Sequence, residues 1–479
     1  MKKLCPLLLL ATAISASAVD IASVSLAPAD GGAAAFRPLD VTPIRVGFRK
    51  MTNACFTVFT VAGKPVDVLV KPSTPFKRVD LRPANAAAKV VETTPDAVRV
   101  RVSAPGPVSV EFDGDSFSCL HLLANPPEKD IPSPDAPNVL HFGPGLHAFG
   151  TDERITSGGT TNDGKDLPRS VLKVSSNTTV YLAEGAVLQA GIVVERDATN
   201  VVIRGRGIID LSPWNQADGR TKWGKTHHAV GINLDRTKNA RVEGVVIKQP
   251  CGYGILGGQV DNVAIENVKI FSSHIWADGI DMMSSTKVVI RDCFIRTTDD
   301  CIAIYGTRFS YRGDTRDWLV ERCVLWADSA HPIYIGVHGD YRREGDTLAD
   351  LVFRDIDILE SNERNPVFQG AISIGCGDRN TCRDMLFEDI RVARVLENGR
   401  LIDLQFKFFH PSTTPGRAIE NIVFRNIACA TRVPSVIEGK SEERQIKGVV
   451  LENVTVAGDP LSLGPLLKVG KFADVVVRP

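Results

Sequence analysis

The sequence has no excess of either charge, because 56 lysines and arginines balance 56 aspartates and glutamates. This balance excludes a strongly basic nucleic-acid-binding surface or a surface built for anionic membranes. Beyond the N-terminal segment, no run of residues is long and apolar enough to cross a bilayer. No CxxC pair and no His-Cys spacing indicates a metal site. We therefore expect neither a metal nor a cofactor.

Long amphipathic runs of the kind that helical repeats require are also missing. The chain does have ample material for a core, with 479 residues, 43% of them hydrophobic and 23% charged. This is an ordinary globular composition, and its length favours two domains.

The first 18 residues have the three-part pattern of a cleaved secretory signal. Two lysines precede a leucine-rich run, and Ala16-Ser17-Ala18 precedes Val19. The apolar run is too short for a membrane span. We predict that residues 1–18 are a signal peptide and that the mature protein is exported to the periplasm or the extracellular space.

Ten cysteines become nine once Cys5 is removed with the signal, so they cannot all pair within the chain. Cys376 and Cys382 flank a short polar loop and are one candidate pair. Cys55 and Cys119, in the N-terminal region, are another. The remaining cysteines occupy apolar strand positions, where we expect small, buried packing residues.

Short β-type runs separated by Pro, Gly and Asp fill residues 19–124, among them FTVFTV, AVRVRVSA and VSVEF. Regular short strands with such turns predict a small β-sandwich. The proline-rich, polar stretch NPPEKDIPSPDAP follows, and residues 125–137 are predicted to be a linker.

A six-residue pattern recurs beyond the linker: apolar, polar, polar or Gly, apolar, any residue, apolar. Its eight copies are VEGVVI from Val242, IENVKI from Ile265, IRDCFI from Ile290, VERCVL from Val320, FRDIDI from Phe353, FEDIRV from Phe387, FRNIAC from Phe424 and LENVTV from Leu451. Successive copies start 23 to 37 residues apart (265−242 and 424−387). The unequal spacing predicts loops of different length on the same sides of a stacked structure.

A second strand signal follows most copies, as in GYGIL, DGIDM, DDCIAI, HPIYI, GAISI and RLIDL. Each unit is therefore a coil of several strands that buries its apolar face only against its neighbours. The expected fold is all-β, with a parallel β-helix over residues 138–479. Its inward positions form a ladder of Ile280, Ile302, Ile333, Ile372 and Ile402.

Three aspartates occupy matching places in two successive coils. Asp278 opens DGIDM, and Asp299 with Asp300 opens DDCIAI. One rung separates the two segments, at the roughly 4.8 Å spacing of neighbouring strands. Carboxylates this close together raise the pKa of at least one of them. Such an arrangement destabilises a fold but is useful for catalysis by a general acid and a general base.

Strict strand alternation would send Asp278 to the same side as Ile280, and Asp300 to the same side as Ile302, which is the interior. We place both aspartates in the bend before the strand, where the two-residue period has not begun. The glycine after Asp278 supports this placement.

At these residues the chain resembles the polygalacturonase family of inverting glycoside hydrolases, which are right-handed β-helix proteins that cut polysaccharide chains. The resemblance covers about residues 138–460. DGID at Asp278 is similar to the family's NTDGID, DDCIAI at Asp299 to its DDC segment, and HPIYIG at His331 to its GHGLSIG. The β-sandwich ahead of the helix also resembles the dextranase family, which has the same three-aspartate site and acts on neutral glucans.

The resemblance implies roles for four residues. Asp299 would be the general acid, Asp278 and Asp300 would hold and activate the attacking water, and His331 would tune or orient the acid. The residues themselves fit this chemistry, since inverting hydrolysis needs one protonated carboxyl and one carboxylate on opposite sides of the sugar.

Equivalent outward positions on successive rungs are predicted to line a substrate groove: Asp281, Tyr334, Ser373 and Asp403. The family's RIK segment, which binds the substrate carboxylate, would fall near Gly370–Gly375, where there is no charged residue. A dextranase-like hydrolase of a neutral glucan is therefore an alternative. Five arginines in long loops beside the site are candidates to replace the missing pair: Arg308, Arg312, Arg316, Arg342 and Arg343.

Two further classes stay open. A β-helix polysaccharide lyase needs calcium-binding acids and a basic residue, and a carbohydrate-binding solenoid needs no acid cluster. The sequence favours an O-glycosyl hydrolase that is secreted and monomeric. We expect a polysaccharide or oligosaccharide substrate and no nucleic-acid or membrane partner.

Overall fold

The computed structural model describes residues 20–29, 32, 35–47, 52–157, 170–214, 230–274, 276–406 and 411–479. The predicted signal peptide, residues 1–18, lies outside this part of the chain. Within it, no helix has the length and apolar character needed to cross a membrane. The structure is all-β, and its described elements are strands together with a short 3-10 helix at Ser212–Trp214.

Two five-stranded sheets form the N-terminal sandwich, with strand orders β2-β1-β5-β8-β7 and β3-β4-β10-β9-β6. The strands are β1 Ile21–Pro28, β2 Arg37–Leu39, β3 Thr42–Val46, β4 Thr52–Thr60, β5 Val66–Pro72, β6 Val79–Arg82, β7 Ala88–Thr94, β8 Ala97–Val102, β9 Gly106–Phe112 and β10 Asp115–Asn125. Valines, leucines and phenylalanines from both inner faces form one core. Residues 126–138 contain no strand and connect the sandwich to the next unit.

The rest of the described chain coils into a right-handed parallel β-helix made of two sheets. The twelve-stranded sheet contains β13 Ile155–Ser157, β14 Ser170–Val174, β17 Gly191–Val194, β20 Ile232–Asp235, β23 Tyr253–Gly258, β26 Asp278–Met283, β29 Ile302–Tyr305, β32 Ile333–Ile335, β34 Ile372–Cys376, β36 Ile402–Phe406, β38 Ser435–Glu438 and β41 Leu467–Val469. Apart from the antiparallel pair β13 and β14, its neighbouring strands are parallel.

The twenty-stranded sheet bends around the other side of the coil. Its strands are β11 Val139–Phe142, β12 Gly145–Ala148, β15 Thr179–Leu182, β16 Ala186–Gln189, β18 Thr199–Gly205, β19 Ile208–Asp210, β21 Lys238–Glu243, β22 Val246–Lys248, β24 Asp261–Glu266, β25 Lys269–Phe271, β27 Thr286–Arg291, β28 Phe294–Thr297, β30 Thr315–Glu321, β31 Val324–Ala327, β33 Thr347–Ser361, β35 Thr381–Val392, β37 Ala418–Cys429, β39 Ile446–Val456, β40 Asp459–Pro460 and β42 Ala473–Arg478.

The sequence repeat sets the register of this larger sheet. The first residues of the eight copies pair in one unbroken column, from Val242 to Leu451. Within it Phe353, Phe387 and Phe424 stack with ring centroids 4.9 Å apart. The predicted isoleucine ladder is also confirmed, because the five isoleucines from Ile280 to Ile402 pair rung by rung and are fully buried.

The third position of the repeat, which is polar or glycine, has a left-handed backbone conformation. Gly244 has φ 80° there, and Asn267, Asp292 and Asn426 have φ between 54° and 57°. Glycine, Asn and Asp tolerate this left-handed conformation better than other residues do. Backbone geometry therefore explains the Gly, Asn or Asp at the third position of seven copies, while Arg322 adopts the same conformation, with φ 50°, in the copy from Val320.

The described cysteines are all free thiols, so neither candidate disulfide is present. Leu120 pairs with Cys55 across β4 and β10, which puts Cys119 out of phase with Cys55. Cys55 faces the sandwich core, while Cys119 faces the interface with the β-helix. Cys376 and Cys382 do lie close together, and hydrogen bonding between the two thiols raises the pKa of Cys382. The expectation that the other cysteines pack as small buried residues is confirmed.

Candidate active site

A corner of the twelve-stranded sheet turns Asp278 and Asp300 outward. An added Cβ on Gly279 would lie 2.5 Å from the Ile295 side chain, which belongs to the interior core. Gly279 and Ile280 therefore both face inward. The next rung repeats this arrangement, with Cys301 and Ile302 both in the core. Two consecutive inward residues shift the alternation, so the preceding aspartates lie on the outer face.

The three aspartates form one cluster. Oxygens of Asp278, Asp299 and Asp300 all lie within 4.8 Å of one another. The backbone N–H of Asp300 donates to Asp278 Oδ1 at 3.2 Å and to Asp299 Oδ1 at 3.0 Å, which ties the two rungs together. Asp278 and Asp300 are buried, and Asp299 is the more exposed carboxyl. Oxygens this close would also suit a divalent cation, so the expected absence of a metal stays a prediction.

His331, one rung further on, binds Asp300. Its ring Nδ1 lies 2.7 Å from Asp300 Oδ1, and its backbone N–H donates to the same oxygen at 3.0 Å. Burial lowers the pKa of His331, but the charge and hydrogen bond of Asp300 outweigh it, and the net shift is upward. Asp300 thus favours the protonated form of the imidazole, which hydrogen-bonds to Asp300, the neighbour of the predicted acid.

Burial is the largest cause of the raised carboxyl pKa values. It raises the pKa of Asp299 to about 7, with the charge of Asp300 as the second cause. It also raises the pKa of Asp278 well above its usual range, together with the charges of Asp281, Asp299 and Asp300. Groups this tightly coupled share their protons. Asp299 combines a pKa near neutrality with partial exposure, and both properties suit a proton donor to substrate.

The four predicted groove residues stand in one column of the same sheet. On successive strands, Asp281 is the register partner of Ala303, Ala303 of Tyr334, Tyr334 of Ser373, and Ser373 of Asp403. All of them are buried under neighbouring side chains. Asp281 pairs with Arg308 at 3.4 Å and Asp403 with Arg400 at 2.7 Å. Their role in substrate binding stays a prediction.

Two buried polar atoms on the rungs beyond Asp300 lack a hydrogen-bond partner among the described residues: Tyr334 Oη and Ser373 Oγ. The His331 and Tyr334 rings stack at 4.0 Å, and Tyr334 pairs with Ser373 on the next rung. Buried polar groups normally find partners. These atoms are therefore available to the hydroxyl groups of a bound molecule or to water.

Sequence reasoning missed two residues that act on the cluster. Tyr305 Oη donates to Asp300 Oδ2 at 3.4 Å, and Glu363 contributes a negative charge that raises the pKa of Asp299. Tyr305 shares its strand with DDCIAI and follows it directly, so the motif pointed towards it. Glu363 lies in a loop after β33, where no periodic pattern marks it.

Of the five loop arginines, Arg308 reaches the site through its ion pair with Asp281. Its guanidinium also lies 5.0 Å from the centre of the Tyr305 ring. Arg316 pairs with Asp314, and Arg343 is mostly exposed and lies near Asp340. The guanidinium of Arg308 is therefore already paired with an acid.

We expect Gly279→Ala to lower the free energy of unfolding by about 1–3 kcal/mol, the usual cost of overpacking. An added Cβ would lie 2.3 Å from the Cys301 carbonyl oxygen, which must move and take the Asp299–Asp300 loop with it. Catalytic activity should fall with stability. Gly143→Ala is the control, because a Cβ there meets nothing within 4 Å. Equal urea midpoints for the two variants would contradict this corner geometry.

A parallel β-helix whose outer face carries three clustered carboxyls and a histidine bound to one of them defines a class of carbohydrate-active enzymes. The chain belongs to glycosyl hydrolases family 28, whose sequence pattern matches residues 154–464, more than half of its length. It is therefore an O-glycosyl hydrolase.

Among similar sequences, the probable endopolygalacturonase A of Aspergillus kawachii is 24% identical over 273 residues, covering 54% of this chain and 67% of that protein. The probable endopolygalacturonase C of Aspergillus aculeatus is 24% identical over 281 residues, with coverage of 56% and 67%. Among solved structures, Dex49A from Penicillium minioluteum matches with TM-score 0.54 and 15% identity, covering 96% of this chain and 94% of that one. This last likeness shows a shared fold over both domains.

Proposed function

We propose that the protein is a secreted glycosidase that cleaves a polysaccharide with Asp299 as general acid and with Asp278 and Asp300 holding the attacking water. The observation that carries this proposal is the cluster itself. Asp299 has a pKa raised to about 7 and is half-buried beside two buried carboxyls, with oxygens of all three within 4.8 Å of one another. The predicted signal peptide supports secretion.

The named relatives support a pectic substrate, since two of them are called endopolygalacturonases. A neutral glucan is the second candidate, and one observation favours it. Arg308 and Arg400 are each paired with a buried aspartate, and these partners, Asp281 and Asp403, lie in one column of the sheet. A substrate carboxylate would have to compete with Asp281 or Asp403 for those guanidinium groups.

The test is a screen of purified protein against pectic, glucan and galactan polymers, with and without EDTA. We expect new reducing ends from one of these polymers, unchanged by EDTA and without an ultraviolet-absorbing product. An unsaturated product would mean a lyase. Binding without any release would mean a carbohydrate-binding solenoid.

The pKa of Asp299 predicts a pH profile. The acid must be protonated, so kcat/KM should fall about tenfold per pH unit above pH ~7. Asp278, Asp300, His331 and Glu363 surround this carboxyl. Removing the negative charge in Glu363→Gln lowers the pKa of Asp299, so the basic limb should move to lower pH. A limb that stays fixed in this variant, or moves to higher pH, would contradict the assignment.

A further inference from the structure

A buried ion pair lies directly behind the active-site loops. Arg296 is in β28 and Asp328 follows β31, and both side chains are fully buried. Arg296 Nε donates to Asp328 Oδ2 and its Nη2 to Oδ1, each at 3.1 Å. The contact is bidentate, the geometry that fixes an arginine and a carboxylate most firmly.

The other donors of Arg296 reach the sandwich domain. Nη2 donates to the Ser116 carbonyl at 3.1 Å, and Nη1 lies 3.2 Å from both Cys119 Sγ and His121 Nε2. Burial, followed by the charge of Arg296, holds the pKa of His121 well below its usual range, so His121 is a neutral acceptor. The charge of Arg296 is thus balanced by Asp328 alone, while the sandwich supplies neutral acceptors.

Asp328 is held from both domains as well. Its Oδ2 accepts a hydrogen bond from the backbone N–H of Gly47 in the sandwich at 3.0 Å. Its Oδ1 accepts one from Trp326 Nε1 at 2.9 Å. Since each carboxylate oxygen has a second donor besides Arg296, the buried charge is well satisfied.

This network continues into the catalytic cluster. Arg296 precedes the segment Thr297–Cys301, which carries Asp299 and Asp300, and Asp328 opens the turn that carries His331. The Asp328 backbone N–H donates to the Thr297 carbonyl at 2.7 Å. Thr297 Oγ1 then donates to the Asp299 carbonyl at 2.7 Å. The ion pair therefore connects the start of the Thr297–Cys301 segment to the start of the turn that carries His331.

We propose that Arg296 and Asp328 are positioning residues through which the sandwich domain fixes the catalytic loops of the β-helix. The inference rests on the proposed function, because it takes Asp299, Asp300 and His331 as the reacting groups and their partner. Its physical basis is that catalytic groups must be held to a fraction of an ångström, and that a 1 Å displacement costs about 10²-fold in rate.

The test compares Arg296→Met with Arg82→Met. Arg82 is also an interface arginine, paired with Glu111 at 2.7 Å and Glu360 at 3.0 Å. Its guanidinium lies 5.1 Å from the centre of the Trp326 ring, and among the described residues it bonds neither to Asp328 nor to either catalytic loop. Both variants break a buried ion pair and should lower the thermal midpoint by about 5–10 °C. Only Arg296→Met should lower kcat, by about 10–100-fold with KM within about threefold, well below its midpoint. Arg296→Lys, which keeps the charge, should recover part of that loss.

Hydrogen exchange supplies a readout that needs no substrate. The Asp300 amide donates to two carboxylates, and the Cys301 amide donates to the His331 carbonyl at 2.8 Å. Both amides should exchange at least about tenfold faster in Arg296→Met and at the wild-type rate in Arg82→Met.

The outcomes separate the two proposals. Wild-type exchange and wild-type kcat in Arg296→Met would overturn the positioning role and leave the glycosidase assignment intact. Equal kcat losses in both arginine variants would also overturn it, because the effect would then be general destabilisation. A wild-type protein inactive on every polymer would overturn the proposed function, while faster exchange in Arg296→Met alone would still support the mechanical coupling.

Discussion

Asp299→Asn should lower kcat on a natural glycan by about 10² to 10⁴, the usual worth of general acid catalysis. Asparagine keeps the shape of the side chain but has no proton to give to the leaving oxygen. Asp299 is the most exposed of the three carboxyls, so the substitution should leave folding and KM nearly unchanged. Steady-state kinetics with the polymer identified in the screen measures this loss.

A substrate with an activated aryl leaving group provides the control. Such a group departs without protonation, so it should restore much of the rate to Asp299→Asn. A variant that stays equally slow on both substrates would remove Asp299 from the acid role. Full activity on the polymer would place Asp299 outside the site altogether.

Asp278→Asn should cause a loss of similar size that the activated leaving group does not restore. Asp278 accepts the Asp300 amide on the neighbouring rung and belongs to the buried part of the cluster. In our scheme it holds and activates the water, and that step is needed for every substrate. The same two substrates measure the effect.

If the activated leaving group restored the rate of Asp278→Asn but not that of Asp299→Asn, Asp278 would be the general acid and Asp299 would act on the water. The raised pKa of Asp278 makes this a real alternative, since a carboxyl protonated at neutral pH is able to act as an acid. The paired kinetics therefore decide which carboxyl faces the leaving oxygen.

Local patterns in the sequence predicted the helix and most of the cluster. The six-residue repeat predicted the register, because each copy pairs only with its neighbours in the stack. Asp278 and Asp300 could be placed outward because the glycine after Asp278 marks a bend. In the structure the reason is stronger: Gly279 and Cys301 occupy the corner that shifts the alternation.

Local sequence patterns could not predict contacts between residues that are far apart in the sequence. Arg296 and Cys119 are 177 positions apart, and nothing near either residue marks the other as a partner. The suggested Cys55–Cys119 disulfide failed for a related reason. Proximity depends on which faces the two strands present, and the pairing of β4 with β10 sends the two thiols to opposite faces.

The proposed inversion of configuration depends on the role of the water and not on the distances between the carboxyl oxygens alone. Single oxygens of the cluster lie within 4.8 Å, closer than the roughly 6.5–9.5 Å that separates the two carboxyl groups of most inverting glycosidases. Inversion is therefore proposed from the family resemblance and from the assignment of a water to Asp278 and Asp300.

Proton NMR of the first product, recorded in a glycan digest before mutarotation, tests the central claim most directly. The three-aspartate scheme predicts that the new reducing end appears first in the anomeric configuration opposite to that of the cleaved bond, with no signal from an unsaturated sugar. Retained configuration would contradict the scheme, because one of the aspartates would then have acted as a nucleophile instead of holding water.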